Sequence, residues 1–161
     1  NPTDKSIDIL NSLKNLYQSN IWKKKYKKLK VRRFTSSKVV DFNFNEIEVD
    51  KYAPSSIPYT EICKEHCKAH IFLVTHPESL GLVVLETALA GALIVTPKGF
   101  ISKDRLKTVR HYEYTRSINW AKAIEMIDIE KSRNKALDNT WEKVGKKVIQ
   151  AIQNKASKKL V

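Results

Sequence analysis

The sequence predicts an α/β fold, in which one parallel sheet is covered by helices on both faces. Segments with the apolar spacing of helices alternate along the chain with short strand-like segments. The two strongest strand candidates, "IFLVT" (71–75) and "ALIVT" (92–96), are unbroken apolar runs, as is typical of strands buried on both faces. With 161 residues, 42% of them hydrophobic, the chain is long enough to form a single domain with its own core.

Two helices are predicted in the first part of the chain. Residues 5–18 follow Asn-Pro-Thr-Asp, which is typical of a helix start, and place five apolar side chains on one helical stripe. That stripe consists of Ile9, Leu10, Leu13, Leu16 and Tyr17. Residues 20–34 are rich in lysine, and their apolar side chains also recur at helical spacing, which predicts a basic helix docked on the sheet. Those side chains are Trp22, Tyr26 and Leu29.

The remaining elements are predicted from strand composition, breakers and periodicity. Residues 38–44, "KVVDFNF", have the composition of a strand, and 46–58 are predicted to be a loop because they contain two prolines and paired serines. Gly91 stands where a helix stop belongs, directly after an apolar helix at 81–90. Further helices are predicted at 59–70, at 118–128 and, as a long basic helix, at 140–160.

Charge and composition limit the class of partner that the chain can bind. The net charge of +13 and the pI of about 9.7 favour anionic partners, namely nucleic acid, nucleotide phosphates or an acidic membrane surface. No secretory signal or run of eighteen apolar residues is visible, and the two cysteines are four apart, too close on a helix for an easy disulfide. We therefore expect a cytoplasmic protein. The first residue is Asn, so we expect the numbering to begin inside a longer protein.

The stretch "HPESLGLVVLETALAGALIVTPKGF" (76–100) contains the candidate site. Glu78 precedes the apolar helix, at the carboxyl edge of the predicted sheet, and Glu86 lies inside that helix with seven residues between the two. The helix start offers unpaired backbone N–H groups and the positive end of the dipole, which together favour an anion. Carboxylates accept hydrogen bonds from hydroxyl groups. An anion flanked by hydroxyls describes a nucleotide sugar, with its ribose, diphosphate and sugar.

The segment "ESLGLVVLETALAGALIVT" resembles the Glu-x7-Glu signature of retaining GT-B glycosyltransferases. The resemblance extends to "IPYTEICKEHCKAHIFLVT" before it, to "NTWEKVGKKV" near the end and to "NPTDKSIDILNSLKNL" at the start. It therefore covers most of the chain. It implies that residues 1–161 are a Rossmann-like, donor-binding C-terminal domain, one half of a GT-B architecture truncated on its N-terminal side. The acceptor-binding N-terminal domain would be absent from this chain.

The resemblance also implies a role for individual residues. Glu78 matches the catalytic glutamate that contacts hydroxyls of the donor sugar, and Glu86 matches the glutamate that binds the ribose hydroxyls. The backbone donors to sugar and diphosphate correspond to Leu80, Gly81 and Leu82. Lys5 matches the lysine of an Arg-x5-Lys pair that holds the diphosphate. The whole enzyme would transfer a sugar from a nucleoside-diphosphate sugar to a hydroxyl acceptor with retention, without a metal or other cofactor.

Departures from the family pattern bear on these expectations. The arginine of the Arg-x5-Lys pair and the strand that holds it fall outside the chain. The usual Pro-Ser before the first glutamate is replaced by Val74 and Thr75, and the Gly-Gly turn after the next strand is reduced to "PKG" (97–99). A glycine-bearing strand expected near 29–34 is replaced by "LKVRRF". The chain alone is therefore expected to be inactive in transfer, as a fragment or a degenerate relative.

Two other interpretations remain open. Cys63, His66, Cys67 and His70 share one helical face, but zinc ligands normally come from two elements, so core packing is favoured over a metal site. The run "WKKKYKKLKVRR" (22–33) is basic with interleaved aromatics, which predicts either a solvated helix or contact with anionic lipid at the inner face of the membrane. The alternative function is a non-catalytic basic module that binds nucleic acid or anionic membrane. No sequence-specific nucleic-acid binding is expected.

Overall fold

The computed structural model describes residues 6–34, 48–52, 57–78 and 81–138, together with the pairs 142–143, 145–146 and 149–150. Helices and strands alternate along these residues. The helices are α1 (Ser6–Ser19), α2 (Tyr59–Lys68), α3 (Leu82–Leu89), α4 (Lys103–Thr108), α5 (Trp120–Glu125) and α6 (Ile129–Leu137), with a 3-10 helix at Ile21–Lys24. The strands are β1 (Lys30–Phe34), β2 (Glu48–Tyr52), β3 (Ile71–Leu73), β4 (Leu93–Pro97) and β5 (His111–Tyr114).

The strands form two parallel sheets. The main sheet has three strands in the order β3-β4-β5, with Phe72 opposite Ile94 and Val95 opposite Tyr112. The second sheet is the parallel pair β1-β2, in which Lys30 is opposite Glu48. The α/β class and the parallel arrangement are therefore confirmed.

Helices cover both faces of the main sheet, and the side chains of β4 show how. Leu93 and Val95 belong to the apolar cluster formed with α1, α5 and Trp22, whereas Ile94 belongs to the cluster formed with α3, α4 and α6. All three side chains are fully buried. Successive strand residues point to opposite faces, so an unbroken apolar run is what a strand between two helical layers requires.

The predicted stripe of α1 is confirmed. Ile9, Leu10, Leu13 and Leu16 are buried, and Tyr17 packs against the same cluster. A polar contact fixes α5 against this helix, because the indole Nε1 of Trp120 donates to the carbonyl and hydroxyl oxygens of Ser12, each at 2.9 Å. Trp120 packs in the core as expected, while Trp141 lies outside the described residues.

The helix predicted at 20–34 is not formed. The chain makes one short 3-10 helix and then strand β1, although Trp22 is buried and Tyr26 and Leu29 pack against the core as expected. Lysines four residues apart repel one another along a helix, and pairing with β2 favours an extended backbone for the residues that follow. The predicted loop at 46–58 is also wrong in part, because it contains strand β2.

The remaining elements differ from expectation in part. The predicted helix at 118–128 is shorter and ends before Asp128, whose side chain accepts from the Lys131 amide and starts a separate helix, α6. Helix α4 and strand β5 were not predicted. The strand predicted at 38–44 lies outside the described residues, as does most of the helix predicted at 140–160.

Candidate functional site

Glu78 lies at the carboxyl edge of the main sheet. Strand β3 ends five residues before it, and its amide donates to the Phe100 carbonyl at 2.8 Å, in a parallel bridge with Ile101 just beyond β4. Its side chain is 19% exposed, and the carboxylate oxygen Oε1 is 3.0 Å from Nε2 of His76. The structure therefore places this carboxylate at the edge where parallel sheets bind ligands.

Helix α3 begins at Leu82, four residues after Glu78, and Gly81 is its N-cap residue. Gly81 has the left-handed conformation, with φ of 61°, and as a glycine it has no side chain that could cap the first turn. The amides of Leu82, Val83 and Val84 have no acceptor within the helix, because their partners would precede it. Together with the dipole, such amides favour an anionic group.

Arg105 on α4 lies against Gly81 and was not predicted from the sequence. A Cβ on Gly81 would be 3.3 Å from Cγ of Arg105 and 3.6 Å from its Nε. The positive φ favours glycine at this position, and a Cβ there would be in tight contact with the arginine side chain. The contact also brings a cationic side chain to the start of α3. No local pattern marks Arg105, because the contact depends on how α4 packs.

Glu86 is bound to helix α2. Its Oε1 accepts a hydrogen bond from the Tyr59 hydroxyl at 2.9 Å, and this bond, more than any other cause, raises the pKa of Tyr59 to about 12. His66, buried on the same helix, has its pKa lowered by burial, while the charge of Glu86 acts in the opposite direction. Tyr59 is a further residue that the motif did not predict.

The sequence-predicted residues are only partly brought together. Glu78, Gly81 and Leu82 lie in one stretch between the sheet edge and α3, and Leu82 is 53% exposed. Among the described residues, no hydrogen bond or ion pair joins Glu78 to Glu86. The predicted contributions of Lys5 and Leu80 lie outside the described residues.

The cysteine and histidine face of α2 does not form a cluster of metal ligands. His66 is buried and lies edge-on to Phe72, whereas His70 is exposed and packs its ring 4.7 Å from that of Tyr26. Cys63 is half-buried and Cys67 exposed. Within the residues that the structure describes, no group of three or more His, Cys, Asp or Glu side chains could hold a metal ion.

The sequence was compared with protein families and with curated proteins, and the chain with solved structures, and none of these comparisons gives a match. The resemblance to glycosyltransferases therefore depends on the Glu-x7-Glu segment and its flanks. In the described part of the chain, no helix has both the length and the apolar character needed to cross a membrane.

Proposed function

We propose that this chain is the donor-binding unit of a retaining GT-B glycosyltransferase and binds a nucleoside-diphosphate sugar at the carboxyl edge of the main sheet. One observation carries the proposal. A helix whose N-cap residue is a glycine begins four residues after a carboxylate at the carboxyl edge of a parallel sheet, within a Glu-x7-Glu segment. A nucleotide sugar needs amides that bind its diphosphate and carboxylates that bind the hydroxyls of the ribose and the sugar on either side.

Binding of the diphosphate is assigned to the start of α3. The amides of Leu82 and Val83 donate to phosphate oxygens, and Arg105 supplies the positive charge that the family takes from its Arg-x5-Lys pair. In the transfer reaction the same groups stabilise the departing nucleoside diphosphate, which is electrostatic catalysis without a metal. Glu78 binds hydroxyls of the donor sugar, close to the reacting carbon.

Binding of the ribose is assigned to Glu86. A carboxylate offers about four lone-pair sites over its two oxygens, and Tyr59 uses one of them on Oε1. Oε2 therefore remains able to accept from a ribose hydroxyl. The Tyr59 bond holds the carboxylate in one orientation, which lowers the entropic cost of binding.

The proposal is tested by titrating the 161-residue chain with UDP, GDP and ADP, and with the corresponding nucleosides as controls. We expect one diphosphate to bind and to raise the melting temperature. Arg105→Ala should weaken that binding by roughly tenfold to a hundredfold, the range for hydrogen bonds to a charged group, and Arg105→Lys by less. Uridine, guanosine or adenosine binding should be unchanged in both variants. Failure of all three diphosphates to bind would contradict the proposal.

A second candidate function is supported by the lysine-rich segment 23–30, which follows α1 and ends at the first residue of β1. Its six lysines are all exposed, as expected for a surface that binds polyanions; they are Lys23, Lys24, Lys25, Lys27, Lys28 and Lys30. From this charge we expect weak, strongly salt-dependent binding of DNA without sequence preference. Tight binding of DNA or of anionic vesicles that persists at high salt, together with no response to nucleotides, would favour the basic module instead.

A further inference from the structure

A cavity of about 350 Å³ opens at the edge of β3, away from Glu78 and Glu86. Ile71, Phe72 and Leu73 of that strand line one side, and Leu29 and Val31, at the start of β1, line another. The two sheets are not paired through their described residues. The cavity therefore separates the edge of the main sheet from the strand that begins the second one.

The cavity lies at the level of the sheet, between the two helical layers. Leu13 and Leu16 of α1 line it from one layer, and Ile124 of α5 belongs to the same layer. His66 and Ala69, at the end of α2, line it from the other layer. A further strand placed here would be covered on both faces, as β4 is.

The backbone of β3 has hydrogen-bonding groups directed into this cavity. His70 accepts from the Leu93 amide at 3.0 Å and the Val74 amide donates to Val95 at 2.9 Å, so the even-numbered residues of this segment pair with β4. In a parallel ladder the alternate residues direct N–H and C=O to the other edge. Ile71 and Leu73 therefore present their backbone groups to the cavity. Among the described residues, no hydrogen bond reaches that edge.

We propose that this cavity binds an extended polypeptide segment, which adds to the main sheet as a strand beside β3. Only a peptide backbone supplies donors and acceptors at the spacing that Ile71 and Leu73 require, whereas an alkyl chain would fill the volume and leave those groups unpaired. The segment is apolar in its centre, because both of its faces would be covered by helices.

Charge further defines the partner. The lysine-rich segment 23–30 runs beside the cavity, and Lys28 lies on its rim with an exposed side chain. An apolar strand flanked by aspartate or glutamate would therefore be favoured over a basic one. The partner is an acidic protein or peptide with a short exposed strand.

The proposal does not depend on the nucleotide site, and its test uses the full 161-residue chain. The probe is the acetylated and amidated peptide Asp-Asp-Val-Ile-Val-Ile-Val-Asp-Asp. Its control is the same peptide with alternate amides N-methylated, which keeps the side chains and removes donors. We expect the probe to bind and the control to bind at least tenfold more weakly. Equal binding of both peptides, or no binding of either, would overturn the proposal.

Amide hydrogen exchange supplies a readout that needs no variant. In the free protein the amides of Ile71 and Leu73 should exchange at least tenfold faster than that of Phe72, which bonds to β4. The probe should slow both of them at least tenfold. Protection of these amides in the free protein would mean that the chain itself covers the edge, and the proposal would fail.

Ile71→Pro removes the donor that faces the cavity and leaves the pairing of β3 with β4 intact. It should abolish binding of the peptide without altering the nucleotide response. If this variant does not fold, Ala69→Trp, which fills the cavity from α2, serves the same purpose. Undiminished peptide binding by a folded variant would overturn the proposal.

Discussion

At the scale of single residues, Glu86 has two partners that substitutions can separate. The described structure shows the bond from Tyr59, and the proposed function adds a ribose hydroxyl. Glu86→Ala should weaken binding of the preferred nucleoside diphosphate by roughly tenfold or more, because hydrogen bonds to a charged group contribute about 1.5–3 kcal/mol. Calorimetric titration measures the change.

The control for this prediction is Tyr59→Phe, which removes the hydroxyl and keeps the ring. It should leave nucleotide affinity within a few-fold of the original, since the carboxylate retains its charge and Oε2. A 2′-deoxy nucleotide should lose less affinity than the ribonucleotide when Glu86 is replaced. Equal losses for the two nucleotides would show that Glu86 does not contact the ribose.

Asp128 makes the stability of the protein depend on pH, and the direction of that dependence follows from its pKa. The pKa lies below the usual 3.8, first because the carboxylate accepts from the Lys131 amide and then because of the Lys131 and Arg110 charges. A folded pKa below the unfolded one means that the stabilisation is complete above the unfolded value and is lost as the pH falls through the folded value.

Asp128→Asn isolates this charge, because asparagine is an equally good N-cap. We expect the variant to melt below the original protein at neutral pH and the difference to vanish in acid. Melting temperatures measured from pH 7 to about pH 2 test this. A difference that persists at the acid end would assign the effect to the cap hydrogen bond instead of the charge.

Sequence pattern predicted Glu78 and Glu86 because both lie in one continuous segment whose spacing and flanking residues together resemble a known signature. The pattern did not predict Arg105 or Tyr59. Arg105 on α4 contacts Gly81, and Tyr59 on α2 contacts Glu86, both in the candidate site. These contacts depend on how α4 and α2 pack beside α3, and the neighbouring residues in sequence do not specify them. The role of a residue that acts through tertiary contacts can be recognised only when the fold is known.

At the scale of elements, Gly91 controls the approach of α6 to the end of α3. It has φ of 110°, and a Cβ there would lie 2.4 Å from Cγ2 of Ile129 and 3.2 Å from its carbonyl oxygen. Gly91→Ala should therefore cost about 1–2 kcal/mol of backbone strain and a further ~1–3 kcal/mol of overpacking. Urea unfolding at an unchanged m-value measures the loss.

Gly99→Ala is the matched control for that substitution. Gly99 also has a positive φ, of 85°, but a Cβ there meets no atom within 4 Å. This variant should lose only the part of the unfolding free energy that backbone strain costs, about 1–2 kcal/mol. The difference between the two variants therefore measures the contact with Ile129. Equal losses would mean that α6 moves away at little cost.

The predicted elements were correct where the pattern is long or strongly apolar, as in α1, α3 and β4. They failed at β1 and β2, which are five-residue strands rich in charged residues, "KVRRF" and "EVDKY". Each strand is stabilised by pairing with the other. Lys30 and Glu48, which lie opposite each other, are eighteen residues apart in sequence, and local composition does not predict such pairing.

At the scale of the whole molecule, the fold class followed from the alternation of helices and buried strands, whereas the division into two sheets did not. A parallel sheet with helices on both faces was expected, although its third strand, β5, was not predicted. The separate pair β1-β2, and the cavity between it and β3, depend on how strands associate over long distances in sequence. The candidate nucleotide site lies beyond the carboxyl end of β3, whereas the proposed strand-binding cavity lies along the edge of β3 that does not pair with β4.

The proposed function leads to a last prediction, that these 161 residues bind a nucleoside diphosphate but transfer no sugar. Transfer in a GT-B enzyme occurs in the cleft between two domains, and the proposed function assigns the described groups to the donor only. Without a second domain to orient the acceptor hydroxyl, the reaction would forgo much of the roughly 7–11 kcal/mol that proximity and orientation supply. Donor binding should survive at high micromolar to millimolar Kd, about 4–6 kcal/mol, because the α3 amides, Arg105 and Glu86 remain. Calorimetry with the diphosphates, alongside assays of transfer and donor hydrolysis, tests both halves of the prediction. Sustained turnover by this chain alone would contradict the two-domain proposal, because the acceptor would then have to be positioned by residues on the donor side of the site.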